Sequence, residues 1–206
     1  MNIQIIDLGI NNLRSLQRAV EGMSEDIRCE TISSPPSETN LPEILILPGV
    51  GNFGTAARVL NSSCLNRYVL DAAQNKIKII GICLGLQLLL KESEESPSQY
   101  ALGLIPGEIK KLQVVDDRVP NVGWGEVSFT HESRFSRNLP NKSLFYFTHS
   151  YFADVKPEFV LATSKHGDRA FPAMISSGST LGMQFHPEKS GIEGKHILHK
   201  AILGSA

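Results

Sequence analysis

A cysteine flanked by glycines joins an apolar strand-like run to a helix-like run, and no other segment constrains the fold as strongly. Residues 77–80 lead into Gly81-Ile82-Cys83-Leu84-Gly85, and the apolar stretch 86–90 follows directly. A strand that turns sharply through one reactive side chain into a helix is typical of a nucleophile elbow, here with Cys in place of Ser. The plainer alternative is a small buried cysteine at a strand end. The elbow interpretation predicts thiol catalysis and therefore requires a nearby base.

Strands and helices alternate through the first half of the chain. Strand-like runs at residues 3–8, 27–32, 43–47 and 77–80 are separated by helical stretches, the first of which Asn11 and Asn12 are placed to cap. Such alternation predicts an α/β fold with a largely parallel sheet and helices on both faces. After residue 98, strand-like segments with short connections predominate, so we expect a more antiparallel second half before a helix from Ile192. The 206 residues fit a single domain, 1–206.

Composition narrows the classes of function. A formal net charge of −1 gives no basic field for nucleic acid or a membrane surface, which leaves small neutral or zwitterionic ligands and protein partners. The three cysteines are odd in number and lack metal-like spacing, so neither a disulfide framework nor a zinc site is indicated. The N-terminus lacks a basic region followed by an apolar run, and no apolar run approaches ~18 residues. We expect a cytoplasmic protein without metal or cofactor.

His186 is the histidine best placed to act as a base for the thiol. It ends the strand-like run at residues 180–185 and is followed by Pro187 and Glu188. In an extended backbone, residues i and i+2 project to the same side, so Glu188 could hold one ring nitrogen while the other faces Cys83. A surface ion pair at a strand terminus would be the preferred interpretation without the elbow. Because the elbow is present, the sequence instead predicts a triad of Cys83, His186 and Glu188.

A glycine-rich loop at residues 49–54 offers a competing interpretation. Its sequence formally matches the G-x-G-x-x-G dinucleotide fingerprint. However, it follows the third strand rather than the first, the next strand ends at the elbow rather than at an acidic residue, and Pro48 stiffens its entry. We therefore interpret it as a loop of backbone N–H groups beside the thiol. Together with the Leu84 N–H it would form an oxyanion hole, worth on the order of 3 kcal/mol per donor.

The motifs together resemble the class I glutamine amidotransferases, and more narrowly the glutaminase subunits of imidazole glycerol phosphate synthase. The elbow and His-Pro-Glu indicate the superfamily, and the other motifs indicate the subunit. The resemblance runs from Asp7 to about Gly191 and is carried by these segments: Pro48-Gly49-Val50-Gly51, Gly81 to Gln87, Gly103-Leu104-Ile105-Pro106-Gly107, Gly123-Trp124, His149-Ser150-Tyr151 and Gln184 to Ser190.

The resemblance implies a fold and a chemistry. The fold would be the three-layer, flavodoxin-like class I amidotransferase fold. Cys83 would attack the side-chain amide of glutamine, and His186 would protonate the departing ammonia and then activate the water that hydrolyses the thioester. By the same resemblance, N–H groups at Gly51 and Leu84 would hold the oxyanion. The residues implied to hold glutamine are Gly51, Gln87 and Glu95.

The resemblance also implies a partner. Subunits of this kind pass ammonia to a (β/α)8-barrel cyclase, with which they form a heterodimer that makes imidazole glycerol phosphate and aminoimidazole carboxamide ribotide in histidine biosynthesis. Trp124 and Lys189 match positions that face this cyclase.

Two segments depart from the family pattern. Where the family has Tyr-Gly-x-Gly-Asn after Asp7, this chain has Leu8-Gly9-Ile10-Asn11-Asn12. Where the family has Pro-His-x-Gly-Trp-Asn, residues 120–125 of this chain have Asn121 in place of His and Gly125 in place of the final Asn. Because both segments lie where the family meets its cyclase, one alternative is a paralogue that supplies ammonia to a cyclase-like partner in surface-polysaccharide sugar modification. Two alternatives of other classes are a stand-alone thiol hydrolase and a non-catalytic binding module.

Overall fold

The computed structural model describes residues 1–9, 13–37, 41–115, 117–130, 135, 137, 139–140 and 143–204. The predicted helix cap at Asn11 and Asn12 lies outside these ranges. Within them the strands are β1 (Asn2–Ile6), β2 (Arg28–Ile32), β3 (Ile44–Leu47), β4 (Lys78–Ile82), β5 (Glu92–Ser93), β6 (Glu108–Lys111), β7 (Asn121–Phe129), β8 (Ser143–His149), β9 (Tyr151–Asp154), β10 (Val160–His166), β11 (Arg169–Ser177) and β12 (Thr180–Met183). The helices are α1 (Leu13–Glu21), α2 (Phe53–Ser62), α3 (Leu65–Gln74), α4 (Leu84–Leu88) and α5 (Gly191–Leu203).

A mixed sheet forms the middle layer. In the described part of the chain it has nine strands in the order β2-β1-β3-β4-β12-β11-β10-β7-β8. The strands from β2 to β12 pair in parallel, and those from β12 to β8 pair antiparallel. The predicted α/β fold with a parallel first half and an antiparallel second half is confirmed.

The apolar pattern of the central strands explains the three layers. All four residues of β3 are buried, because both faces of this strand are covered. Ile44 and Ile46 belong to the apolar cluster that contains residues of α1 and α5, whereas Leu45 and Leu47 belong to the cluster with residues of α2 and α3. Alternate residues of one strand thus contribute to two helical layers.

One predicted segment divides between two sheets. The strand-like run at residues 144–155 contains β8 and β9, which are separated at Ser150. β8 is the last strand of the large sheet, while β9 pairs with β6 in a small sheet of order β5-β6-β9. No helix in the described ranges combines the length and the apolarity that a membrane-spanning segment needs.

Candidate active site

Three neighbouring parallel strands end at the same edge of the sheet, and each end carries part of the predicted site. β3 leads into the loop from Pro48 to Gly51, β4 into Cys83, and β12 into the segment before His186. β4 pairs with both β3 and β12, with Gly182 opposite Gly81. The topology therefore brings together segments that are more than a hundred residues apart, at the carboxyl edge where open α/β sheets bind ligands.

Cys83 occupies a strained turn, as the elbow interpretation predicts. Its φ of 53° and ψ of −106° are unusual for a residue with a side chain, and its N–H donates a 2.7 Å hydrogen bond to the Met183 carbonyl. A Cβ on Gly85 would overlap the Leu47 carbonyl oxygen, and one on Gly81 would lie 2.6 Å from the Gly85 oxygen. The flanking glycines are thus required by close backbone approach.

His186 and Glu188 form a buried pair beside the thiol. The Nδ1 atom of His186 lies 2.8 Å from Glu188 Oε1. Because a carboxylate accepts, Nδ1 donates, and the buried Nε2 has no hydrogen-bond partner of ordinary geometry among the described residues. Burial lowers the pKa of His186, but the adjacent Cys83 and Glu188 outweigh it and raise the pKa to about 9.

The backbone brings this pair together differently from the sequence-based argument. His186 is extended, but residues Pro187–Lys189 form one turn of 3-10 helix rather than a continued strand. Ser190 fixes this turn, because its buried Oγ donates to the His186 carbonyl at 2.6 Å and accepts from the Tyr146 N–H at 2.9 Å. The His186 N–H also donates to the Tyr146 carbonyl, so β8 supports the turn at two points.

The Cys83 sulfur has two further polar neighbours that the sequence analysis did not single out. The thiol donates to the Thr148 carbonyl oxygen at 3.7 Å, and Gln184 Nε2 donates to the sulfur at 3.8 Å. Gln184 could have been found from its position two residues before His186, by the same period-2 argument that led to Glu188. Thr148 acts through its backbone, so its residue type carried no signal.

The predicted oxyanion donors lie beside the thiol, but one of them is occupied. The Leu84 N–H donates a 3.2 Å hydrogen bond to the Gly49 carbonyl oxygen. Gly51 has a φ of 118°, which favours glycine, and a Cβ on Gly49 would lie 2.9 Å from the Leu84 Cβ. The glycine loop therefore packs against the elbow as predicted, with a carbonyl rather than an anion on the Leu84 N–H.

A pocket of about 200 Å³ collects the residues predicted to hold the substrate. Gln87 donates through Nε2 to the Tyr151 carbonyl at 3.2 Å, and Glu95 accepts a 2.6 Å hydrogen bond from the Phe53 N–H. The two side chains thus fix two walls of the pocket. The full lining is Gly51, Cys83, Leu84, Gln87, Glu95, Pro120, Thr148, His149, Ser150 and Tyr151.

A second, smaller pocket of about 90 Å³ contains the other two members of the predicted triad. Its lining is Ser15, Leu16, Pro48, Gly49, Val50, Ile82, His186, Glu188 and Lys189. The loop from Gly49 to Gly51 contributes residues to both pockets. The site therefore has one face at the sulfur and another at the histidine–glutamate pair.

His149 lines the larger pocket and Asn121 contacts His149, which changes the interpretation of a departure from the family pattern. Burial lowers the pKa of His149 to about 4, so the ring is neutral at physiological pH. Nδ1 lies 3.0 Å from the Tyr151 carbonyl and therefore donates, which leaves Nε2 to accept from Asn121 Nδ2 at 3.0 Å. Asn121 is only 9% exposed. Its placement on the docking surface was wrong, because the side chain points into the protein.

Of the other described departures, Leu8 is buried and Gly125 is half-buried. Leu8 is buried in the apolar cluster that contains Phe53, and a Cβ on Gly125 would lie 3.0 Å from the Phe147 ring. Ile10 to Asn12 lie outside the described residues. These changes accompany packing inside the chain and do not by themselves indicate a different partner.

The two predicted partner-facing residues share one exposed surface with Tyr146. Trp124 is 57% exposed and meets the Tyr146 ring edge-on at 6.1 Å between centroids. Lys189 Nζ lies 5.8 Å from the centroid of the same ring. We call Trp124, Tyr146 and Lys189 the aromatic patch. Because Lys189 also lines the smaller pocket, the patch borders the face that holds His186.

Within the described residues, no group of three or more His, Cys, Asp or Glu side chains is arranged to hold a metal ion.

Comparisons with known proteins give a family and a fold. The family model described as glutamine amidotransferase class-I matches residues 3–204. The imidazole glycerol phosphate synthase subunit HisH of Thermotoga maritima is 38% identical over 205 residues, which cover 98% of this chain and 96% of that protein. The subunit of the same name from Bacillus cereus is 38% identical over 95% of this chain and 91% of its own length.

Solved structures show the same fold at lower identity. A glutamine amidotransferase crystal structure gives a TM-score of 0.74 at 19% identity and covers 98% of this chain and 97% of its own. PurLQS from Thermotoga maritima gives a TM-score of 0.72 at 19% identity, with the same coverage of both chains. The three-layer architecture is thus shared with proteins whose sequences have diverged widely.

Proposed function

The chain belongs to the class I glutamine amidotransferases, and from this premise we propose that it hydrolyses glutamine with a triad of Cys83, His186 and Glu188. The observation that carries the assignment is the buried His186–Glu188 pair, which lies close enough to Cys83 for the thiol to raise the pKa of His186. Glu188 fixes the tautomer, because its carboxylate can only accept the Nδ1 proton.

The reaction follows from this geometry. Cys83 transfers its proton to His186 Nε2, and the thiolate attacks the side-chain carboxamide carbon of glutamine. The tetrahedral intermediate collapses with cleavage of the C–N bond, and His186 returns the proton to the nitrogen, which leaves as ammonia. A water molecule then gives a proton to His186 and attacks the thioester, so that glutamate is released and the Cys83 thiol is restored.

The larger pocket supports the assignment of the substrate. Its volume of about 200 Å³ suits a small amino acid, and it presents the sulfur, the Gln87 amide and the Glu95 carboxylate together. Glu95 would pair with the α-amino group of glutamine, while Gln87 and the Gly51 backbone would orient its polar groups. Leu84 would supply an oxyanion N–H group once the Gly49 carbonyl has moved away, together with an N–H group of the loop from Gly49 to Gly51.

We further propose that the ammonia passes to a (β/α)8-barrel cyclase in a heterodimer, for histidine biosynthesis. The relatives at 38% identity are subunits of imidazole glycerol phosphate synthase and match this chain over nearly its whole length. Ammonia is released at His186, on the side of the smaller pocket, and the aromatic patch borders that pocket. A partner docked on Trp124 and Lys189 would therefore receive the ammonia by the shortest route. We propose a single domain, 1–206, that works in the cytoplasm.

Replacing Cys83 tests this function directly. Cys83→Ala should abolish glutamine-dependent product formation by the complex, while the ammonia-dependent activity of the cyclase remains. Cys29→Ala is the matched control, because Cys29 is a partly buried cysteine of β2 away from the site. Glutamine-dependent activity that survives in Cys83→Ala would refute the triad.

The acceptor of the ammonia requires a separate test. Co-purification with a barrel subunit, followed by stimulation of glutamine hydrolysis by the ribotide substrate of histidine synthesis, would support the histidine pathway. Stimulation only by a cyclase-like partner of sugar modification would instead identify the chain as a paralogue. Full glutaminase activity in the isolated chain would favour a stand-alone hydrolase.

A further inference from the structure

Gln184 is a buried polar residue of the site to which neither the predicted triad nor the substrate pocket assigns a role. Its exposed fraction is 0%, and it lies two residues before His186, directly after β12. Its Nε2 atom is 3.8 Å from the Cys83 sulfur, within the range of an N–H···S hydrogen bond. The Gln184 backbone N–H donates to the Ala173 carbonyl, which anchors the residue in the sheet.

The other end of this carboxamide shows that the residue is not explained by packing alone. The Oε1 atom is buried and has no hydrogen-bond partner among the described residues. An unsatisfied buried oxygen costs free energy, whereas a methionine of similar length would fill the same space without that cost. The N–H end is therefore the part of the side chain with a function, and its partner is the sulfur.

The sulfur is held between an acceptor and a donor. The Thr148 carbonyl can only accept, so it interacts favourably with the thiol and unfavourably with the thiolate. The Gln184 N–H can only donate to the sulfur, and its hydrogen bond strengthens when the sulfur becomes charged. Gln184 thus shifts the Cys83–His186 proton transfer towards the reactive thiolate.

We propose that Gln184 is a further catalytic residue, whose carboxamide N–H donates to the Cys83 sulfur and stabilises the thiolate before it attacks the substrate. This inference rests on the proposed function, because it takes Cys83 as the nucleophile. It predicts that loss of the donor changes the pH range in which the thiol reacts, and not merely the amount of folded protein.

Alkylation of the full chain by iodoacetamide between about pH 5 and about pH 10 tests the proposal, with mass spectrometry used to follow the Cys83 peptide. Gln184→Met removes the donor and keeps the length of the side chain. We expect the midpoint of the alkylation profile to move up by about one pH unit, a roughly tenfold loss of thiolate at lower pH. Glutamine turnover should fall by the same factor near neutral pH and recover as the pH rises.

Gln4→Met is the matched control. Gln4 is also a buried glutamine, but it lies in β1 and bonds to Tyr68 and Glu30. The Gln4→Met substitution should leave the midpoint of the Cys83 alkylation profile unchanged. Gln184→Leu provides a second test if Gln184→Met does not fold, because it also removes the donor and leaves an apolar side chain. The midpoint must then rise as well.

The outcomes separate this inference from the proposed function. If Cys83 of the parent chain reacts no faster than the exposed Cys64 in the same molecule, the nucleophile assignment fails. If parental Cys83 is selectively reactive but folded Gln184→Met or Gln184→Leu gives an unchanged midpoint, only the role of Gln184 is overturned. Activity lowered equally at all pH values would also overturn it, because that result indicates a purely structural residue.

Discussion

Replacement of Gly85 by alanine tests whether close packing of the elbow against β3 holds Cys83 in its strained conformation. The added Cβ would overlap the Leu47 carbonyl oxygen and lie 2.5 Å from the Leu47 carbonyl carbon. Both neighbours are backbone atoms, so no side-chain rotation can relieve the overlap. Either α4 or the end of β3 has to move by about 1 Å or more before an ordinary contact is restored.

The cost follows from the rigidity of both elements. Inserting a methyl group into a well-packed interior costs about 1–3 kcal/mol, and an overlap with backbone on a buried strand belongs at the upper end, about 3 kcal/mol. For a chain of this size, 1 kcal/mol lowers Tm by about 2–4 °C, so we expect a decrease of about 6–12 °C. Thermal unfolding followed by circular dichroism measures it. Glutamine turnover should fall as well, because Cys83 immediately precedes the displaced helix.

Gly178→Ala separates steric overlap from backbone strain. Gly178 has a φ of 56°, and no atom lies within 4 Å of the position of its Cβ. Alanine there meets only the cost of the left-handed conformation, about 1–2 kcal/mol. If Gly85→Ala lowered Tm no more than Gly178→Ala and left the alkylation of Cys83 unchanged, the packing argument for the elbow would be wrong.

Three further predictions concern the histidine, its support and the docking surface. The pKa of His186 is raised from 6.5 to about 9, so its contribution to stability is complete below pH 6.5 and is lost as the pH rises through about 9. Chemical unfolding should show that the free energy of unfolding falls by an amount on the order of 3 kcal/mol over that pH range. A Glu188→Gln variant with the same pH dependence would contradict the assignment of this loss to the His186–Glu188 pair. Ser190→Ala should cost about 1–3 kcal/mol, measured by urea unfolding, because it leaves the buried Tyr146 N–H unpaired; an unchanged midpoint would contradict it. Trp124→Ala should weaken binding of the barrel partner about 30-fold by calorimetry, whereas Tyr100→Ala, an equally exposed aromatic beneath Lys91, should not.

The sequence predicts those parts of the fold that depend on local pattern. Apolar runs such as residues 43–47 are buried on both faces, so they identify the parallel strands without knowledge of their neighbours. The break between β8 and β9 at Ser150 has no comparable local signal. It arises because Tyr151 pairs with Lys111 of β6, whereas His149 pairs with Asn121 of β7. These pairings are set by distant segments, which a periodicity argument does not include.

The same division applies to the site. Cys83, His186 and Glu188 are recognisable because short motifs fix their spacing and chemistry. Thr148 contributes a carbonyl group, which any residue type would supply, so the sequence could not single it out. Asn121 could be recognised as the support of His149 only once the contact between the two side chains was known. Residue types predict which groups react, while the folded backbone determines which groups surround them.

The hydrogen bond between the Leu84 N–H and the Gly49 carbonyl leads to the final prediction, which concerns regulation. In a trans peptide, the Gly49 carbonyl and the Val50 N–H point in opposite directions. Rotation of this peptide by half a turn would therefore free the Leu84 N–H and direct the Val50 N–H towards the same side. Both groups could then bind the oxyanion, and Gly49 eases its own share of the required change in backbone dihedrals.

The loop that has to rotate lies within reach of a docked partner, because Val50 is partly exposed and lines the smaller pocket together with Lys189. Each oxyanion donor contributes about 10²–10³ to the rate, so the isolated chain should hydrolyse glutamine at least about 100-fold more slowly than the complex. Turnover at saturating glutamine, with and without the barrel subunit, measures this ratio. Gly49→Ala should lower the rate of the complex as well, because its Cβ would lie 2.9 Å from the Leu84 Cβ and push the loop away from the elbow. Equal rates for the isolated chain and the complex would show that the occupied Leu84 N–H does not limit catalysis.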